Sequence, residues 1–225
     1  MLNINKYNTI IFDLDGTLVD SVPELAVALN HALQVLEFAT VEEALVRSWV
    51  GNGSVKLVER ALEHGANNTR ENVSRLHQQF LLSYEAVLSQ KCVLYPGVKS
   101  LLTHLQQQEK TLVLLTNKPI QFVPELLIKM GVAHLFALVL GGDSLAQKKP
   151  HPLPLFHIME TLNVNSSQCL MVGDSRSDIV CAQQAGVNSV ALLQGYNQGI
   201  DLATLEPTYV FDTIESFGKI LTSNI

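Results

Sequence analysis

Six short, continuously apolar runs recur along the chain, at residues 9–14, 112–116, 137–140, 169–172, 189–193 and 209–211, and segments of helical periodicity stand between most of them. A strand that faces solvent on one side alternates apolar and polar residues; these runs do not, so they predict strands buried on both faces. That condition is met by parallel strands joined through crossover helices, which the pattern places over 98–108, 122–130, 152–162 and 178–185. The fold class expected is therefore α/β. The stretch from 22 to 90 breaks the alternation: Val22, Leu25, Ala26, Leu29, Leu33 and Leu36 keep one helical face, and no convincing strand follows. It predicts an all-helical insert with a Gly-rich break at Gly51-Asn52-Gly53-Ser54, Ser54 capping the next helix, and a long helix over 69–88. The expected division is a discontinuous sheet domain, 1–21 and 91–225, and a helical domain, 22–90.

Composition narrows the function. At 225 residues, 47% hydrophobic and 16% charged, the chain can bury one full core plus an appended unit. A net charge of −6 argues against a nucleic-acid partner, which clustered Lys and Arg would have to hold. Cys92, Cys169 and Cys181 lack the spacing of a disulfide framework or zinc site and read as core thiols of a reducing compartment. Asp13 interrupts the first apolar run, so neither a signal peptide nor a membrane span is expected, and the predicted location is the cytoplasm. The histidines show no metal-ligand spacing, His151 between two prolines reads as loop structure, and no Walker-type lysine loop occurs.

In open α/β sheets ligands bind beyond the carboxyl ends of the strands, and the residues there are polar. Asp13 and Asp15 follow the first run; at i and i+2 of an extended chain both carboxylates face one site, and Gly16 permits the exit turn. Neighbouring carboxylates are stable as anions with a cation between them, which predicts a hard, oxygen-liganded metal such as Mg²⁺; the bland alternative is a solvated Asp-Gly turn. Thr116 and Asn117 after the second run suit the oxygens of a phosphoryl group, against a competing role in capping before Pro119. Lys148 and Lys149 precede Pro150, and either can neutralise phosphate; Lys149 is preferred. Asp174 stands at the tip of the fourth run as a metal ligand, while Asp178 is a second ligand, a partner for Lys149, or a first-turn acid on a helix.

Taken in order, Asp13-x-Asp15-Gly-Thr, Thr116, Lys149 before proline and Gly173-Asp174-x-x-x-Asp178 resemble the haloacid dehalogenase superfamily over nearly the whole chain. The resemblance implies a Rossmann-like core under an inserted helical cap, with hinges near Ser21 and Gln90. Asp15 matches the phosphatases of that superfamily and not its dehalogenases. Asp13 is then the nucleophile, Asp15 the acid and then the base, and Mg²⁺ sits on Asp13, Asp174 and the backbone carbonyl of Asp15, with Thr116 and Lys149 on the phosphoryl oxygens. A small phosphorylated metabolite is the implied partner, for a monomer or homodimer. Trp49-Val50-Gly51-Asn52-Gly53, Arg60-Ala61-Leu62, Thr116-Asn117-Lys118-Pro119, residues 148–152 and Gly195-Tyr196-Asn197 look like the bacterial phosphoglycolate phosphatases. A sugar-phosphate phosphatase, a phosphoglucomutase-like enzyme and a catalytically silent sugar-phosphate sensor are the alternatives. Arg47 or Arg60 could pair with a substrate carboxylate, but the preferred reading of each is a solvated helical arginine, and Trp49 reads as core of the insert.

Overall fold

The computed structural model describes residues 2–222. In chain order the elements are β1 (Thr9–Phe12), β2 (Val19–Asp20), α1 (Val22–Val35), α2 (Glu43–Trp49), α3 (Ser54–His64), α4 (Arg70–Val87), β3 (Val93–Leu94), α5 (Val98–Gln107), β4 (Thr111–Leu115), α6 (Val123–Lys129), β5 (Leu138–Leu140), α7 (Leu153–Leu162), β6 (Cys169–Gly173), α8 (Arg176–Gln184), β7 (Asn188–Leu192), β8 (Tyr209–Phe211) and α9 (Ile214–Thr222). The six apolar runs form one sheet in the order β5-β4-β1-β6-β7-β8, every pair parallel, so the fold is α/β as expected.

Alternation along the strands divides the interior. Ile10 and Phe12 of β1, Leu112 and Leu114 of β4, and Leu170 and Val172 of β6 pack with residues of α5, α6 and α9. Ile11, Val113, Leu115 and Met171 point the other way, to Leu155 and Ile158 of α7 and Cys181 and Ala182 of α8. Both faces are covered, which is why the runs carry no polar alternation. The three cysteines are free and buried, and burial pushes the Cys92 and Cys181 thiols up to about 12. β1 pairs with β4 on one side and β6 on the other, so the chain reverses direction across the sheet at β1 and leaves a crevice at its carboxyl end.

Helices α1 to α4 surround their own cluster, including Leu29, Leu57, Leu76, Phe80 and Tyr84, with Phe122 and Tyr196 of the sheet unit inserted into it. Phe122 meets Tyr84 edge-on at 4.9 Å. The strands β2 and β3 pair antiparallel at the points where the chain enters and leaves these helices. Two-residue strands carry no readable periodicity, and neither this antiparallel pair nor α2 and α9 was expected. Ser54 is a correction: Gly53, at φ 90°, occupies the N-cap, and the Ser54 hydroxyl is hydrogen-bonded with His77 Nε2 at 2.9 Å. Helix α8 begins two residues before the expected 178, because Ser175 and Asp178 form a reciprocal cap across its first turn. Among the described residues no helix is long and apolar enough to cross a membrane.

Candidate active site

The carboxyl ends of β1, β4 and β6 converge on a buried lysine. Lys149 Nζ lies 2.8 Å from Asp13 Oδ1 and 2.7 Å from Asp178 Oδ1, and donates to the Leu115 carbonyl at 2.6 Å. Its side chain is 1% exposed, so the charge survives because partners surround it: burial opposes protonation, and the Asp13 and Asp178 carboxylates outweigh that and raise its pKa. Lys148, by contrast, sits half-buried beside Gly53, where burial and Lys56 lower its pKa.

Asp13, Asp174 and Asp178 bring carboxylate oxygens within 4.8 Å of one another. Fixed donors hold the cluster: Asp174 accepts from Thr17 Oγ1 and from the Tyr196 amide, each at 2.6 Å. Asp178 Oδ2 accepts from the Ser175 amide at 3.0 Å and its hydroxyl at 2.7 Å, so Asp178 both caps α8 and anchors Lys149. Three acids face one ammonium. Burial pushes the Asp13 carboxyl from 3.8 up to about 7, with Lys149 pulling down and Asp178 pushing up. Asp174 rises well above its ordinary range through burial and the neighbouring Asp13 and Asp178 charges. Such a cluster is able to hold a metal ion. All three already hold partners: Asp174 uses Oδ1 for Thr17 and Oδ2 for Tyr196, Asp178 uses Oδ1 for Lys149 and Oδ2 for Ser175, and Asp13 Oδ1 lies on Lys149.

Asp15 stands beside this group with its side chain 13% exposed, and Lys118 Nζ contacts its two oxygens at 3.1 and 3.3 Å. Lys118 is itself buried, with Nζ 4.6 Å from the Tyr84 ring centroid of α4. Burial opposes its charge, and Asp15 and Tyr84 raise its pKa despite that. Thr116, at the end of β4, accepts from the Lys118 amide at 3.1 Å and lines the cleft. Asn117 is redirected: its amide donates to the Lys149 carbonyl at 3.0 Å and the Gly51 carbonyl at 3.2 Å, which leaves that side chain no N–H for a phosphoryl oxygen.

The model of a family described as haloacid dehalogenase-like hydrolase matches residues 10–192, a span that contains Asp13, Asp15, Thr116, Lys118, Lys149, Asp174 and Asp178. The chain belongs to the haloacid dehalogenase-like hydrolases. Among its relatives in that family, a protein of Colwellia psychrerythraea named phosphoglycolate phosphatase is 42% identical over 226 residues, 99% of either chain. One of the same name from Psychrobacter arcticus is 45% identical over 208 residues, 90% of each. A crystal structure of a "predicted phosphoglycolate phosphatase" from Haemophilus somnus 129pt superposes with a TM-score of 0.91 at 38% identity, covering 96% of this chain and 98% of that one.

In this hydrolase the helices α1 to α4 roof the crevice. Leu25, Leu57, Phe80 and Tyr84 face Asp13, Asp15, Thr116 and Lys118 across one cleft. The seam is tied by Asn52 Nδ2 to Ser177 Oγ at 3.1 Å, by Arg60 to Gln198 Oε1 at 3.4 Å, and by Gln198 Nε2 to the Val50 carbonyl at 2.7 Å. At the entry strand, the Tyr196 hydroxyl donates to Asp20 at 2.6 Å and accepts from the Ser21 amide at 3.0 Å, while Arg47 bonds Asp20 at 3.2 Å and covers the Tyr196 ring. Arg47 and Arg60 are thus braces, correcting the expectation of solvated arginines; Trp49 packs partly buried on the helical cluster. Tyr196 joins Asp174 through its backbone to the start of α1 through its ring, a link that chain order does not reveal. Gly195 makes the approach possible: a Cβ there would stand 2.1 Å from Asp174 Oδ2.

Proposed function

We propose that the protein hydrolyses 2-phosphoglycolate to glycolate and inorganic phosphate in the cytoplasm, through a phosphoryl group carried on Asp13 beneath a cap formed by residues 22–90. The observation that carries the reading is Asp13 itself: buried at the tip of β1, 2.8 Å from an enclosed ammonium, beside two further acids, with Asp15 two positions on. The names of the full-length relatives support the substrate.

An Asp13 oxygen attacks phosphorus as the bond to the ester oxygen breaks, and Asp15 gives its proton to the departing alkoxide. Asp15 then takes a proton from the water that attacks the phosphoryl group, releasing phosphate and restoring Asp13. Lys149 and the Thr116 hydroxyl bear on the phosphoryl oxygens, and Asp178 holds Lys149 in place. Mg²⁺, held by Asp13, Asp174 and the backbone carbonyl of Asp15, supplies further positive charge at those oxygens when bound. The apolar cap wall excludes bulk water, and Ser21 and Gln90 serve as hinges for entry.

Proton linkage gives the metal assignment a test without turnover. Asp13 is raised from 3.8 to about 7, so between those pH values the metal-free fold holds a proton that the unfolded chain has lost; its stability falls as pH rises through that window and levels above it. Mg²⁺ replaces that proton, so its stabilising effect grows with pH. At about 100 times Kd it adds about 2.7 kcal/mol, or roughly 5–10 °C in Tm, at pH 8, and less at pH 6. Thermal unfolding at both pH values measures this; an equal shift at each contradicts the assignment.

The function itself is tested by phosphate release from 2-phosphoglycolate, sugar phosphates, phosphoserine and nucleotides, with Mg²⁺ and with chelator. Chelator-sensitive preference for 2-phosphoglycolate is the expected result. Preference for another ester discards the substrate and keeps the chemistry; no metal-dependent release from any ester favours a silent sensor.

A further inference from the structure

The roof of the cleft is apolar. Leu25, Leu57 and Phe80 of the helices contribute hydrocarbon, joined by Phe122 of the sheet unit, and among the described residues lining the cleft the one Lys, Arg or His is Lys118. A carboxylate entering such a space unpaired loses its hydration without compensation. Lys118 stands where the leaving group must extend. Its Nζ is within 3.3 Å of each Asp15 oxygen, and an ester oxygen protonated by Asp15 lies about 2.5–3.0 Å from that carboxyl. An atom two bonds beyond the ester oxygen, where 2-phosphoglycolate carries its carboxyl carbon, is therefore within reach of the ammonium. The Tyr84 ring backs Lys118 on the cap side, and the four-carbon stem lets Nζ swing from Asp15 to an arriving anion without backbone movement.

We infer that Lys118 is the specificity-determining residue that recognises the leaving group's carboxylate, pairing with Asp15 in the free enzyme and with the substrate in the complex. The inference rests on the reading of 2-phosphoglycolate as substrate. Two cations then divide the substrate between them, Lys149 bearing on the phosphoryl group at the floor of the crevice and Lys118 on the carboxylate under the roof.

The test compares 2-phosphoglycolate with ethyl phosphate, which has the same two-carbon frame and no carboxylate, in the Mg²⁺-loaded wild type, Lys118→Gln and Lys118→Arg. Wild type is expected to prefer 2-phosphoglycolate in kcat/KM. Lys118→Gln lowers that preference about 100-fold, chiefly through KM, and Lys118→Arg keeps it within about 10-fold. Any effect transmitted through Asp15 strikes both esters alike and cancels in the ratio. A wild type without the preference overturns the substrate reading and this assignment with it. A wild type with the preference and a Lys118→Gln that keeps it overturn the assignment alone. Should Lys118→Gln not fold, the Nζ resonance of Lys118 in ¹⁵N-lysine-labelled wild type, identified by its loss in Lys118→Arg, is expected to shift with glycolate plus phosphate and not with ethylene glycol plus phosphate; a resonance that ignores glycolate overturns the proposal.

Discussion

Replacing Asp13 with Asn is expected to lower kcat by about 10⁴ to 10⁶, the scale of loss when the nucleophile of a covalent mechanism is removed. The same substitution should not cost stability. Burial and the Asp178 charge work against an ionised Asp13, whose carboxyl rises to about 7, and a neutral amide of the same shape removes that conflict. Lys149 keeps Asp178 and the Leu115 carbonyl. Metal-free Asp13→Asn at pH 8 is therefore expected to unfold at or above the wild-type temperature, and to lose most of the Mg²⁺-induced shift. Phosphate release and thermal unfolding, each with and without Mg²⁺, measure the three effects. Turnover above about 1% of wild type contradicts the nucleophile assignment.

Lys149→Ala acts in the opposite sense on stability. It strands Asp13 and Asp178, buried and 2.8 and 2.7 Å from the lost ammonium, and removing one partner of a buried ion pair costs about 3–5 kcal/mol. For a chain of this length that is roughly 6–20 °C in Tm. The loss should be greatest near pH 8, where the stranded Asp13 carboxyl, raised to about 7, is ionised, and smaller near pH 5, where its protonation relieves it. Mg²⁺ is expected to recover part of the stability and little of the activity, because it supplies charge to the cluster without replacing a donor at the phosphoryl oxygens. Lys129→Ala, which breaks an exposed pair with Glu125 on α6, is the control and should cost no more than about 0.5 kcal/mol. Equal losses from the two substitutions would contradict the role given to Lys149.

The sheet was legible because burial on both faces leaves a simple trace. Residues 169–172 read as a strand because nothing polar interrupts Leu170 and Met171, which face opposite helix layers; 209–211 are as apolar but form the sheet edge, where Val210 is exposed. The acids were legible because β1 and β6 end where Asp13 and Asp174 begin, so chain order alone put them at the crevice. Asp178 left several readings open, and geometry joins two of them, since one carboxylate oxygen caps α8 and the other holds Lys149.

What was missed depends on contacts between distant segments. Lys118 appeared only as one letter of Thr116-Asn117-Lys118-Pro119; that its ammonium reaches back to Asp15 is set by the turn in which the Thr116 hydroxyl accepts from its amide. Tyr196 lies more than 170 residues from Ser21, and no local spacing announces that its hydroxyl receives the amide entering α1. Asn117 was assigned to phosphate because an amide at a strand tip suits that role, yet the carbonyls of Gly51 and Lys149 claim its protons. Ser54 failed as a cap for a backbone reason: Gly53 takes a left-handed φ of 90° that a serine adopts poorly, and so becomes the cap residue itself.

The central claim is that the phosphoryl group passes through Asp13. Acid quenching during Mg²⁺-supported turnover of 2-phosphoglycolate, followed by borohydride reduction and peptide mass mapping, tests it directly, because an acyl phosphate is reduced to the alcohol while free carboxylates are not. The account predicts homoserine at position 13, absent when chelator replaces Mg²⁺ and absent in Asp13→Asn. An unmodified Asp13 in an enzyme that is turning over, or reduction at Asp15 or Asp174 instead, would contradict it.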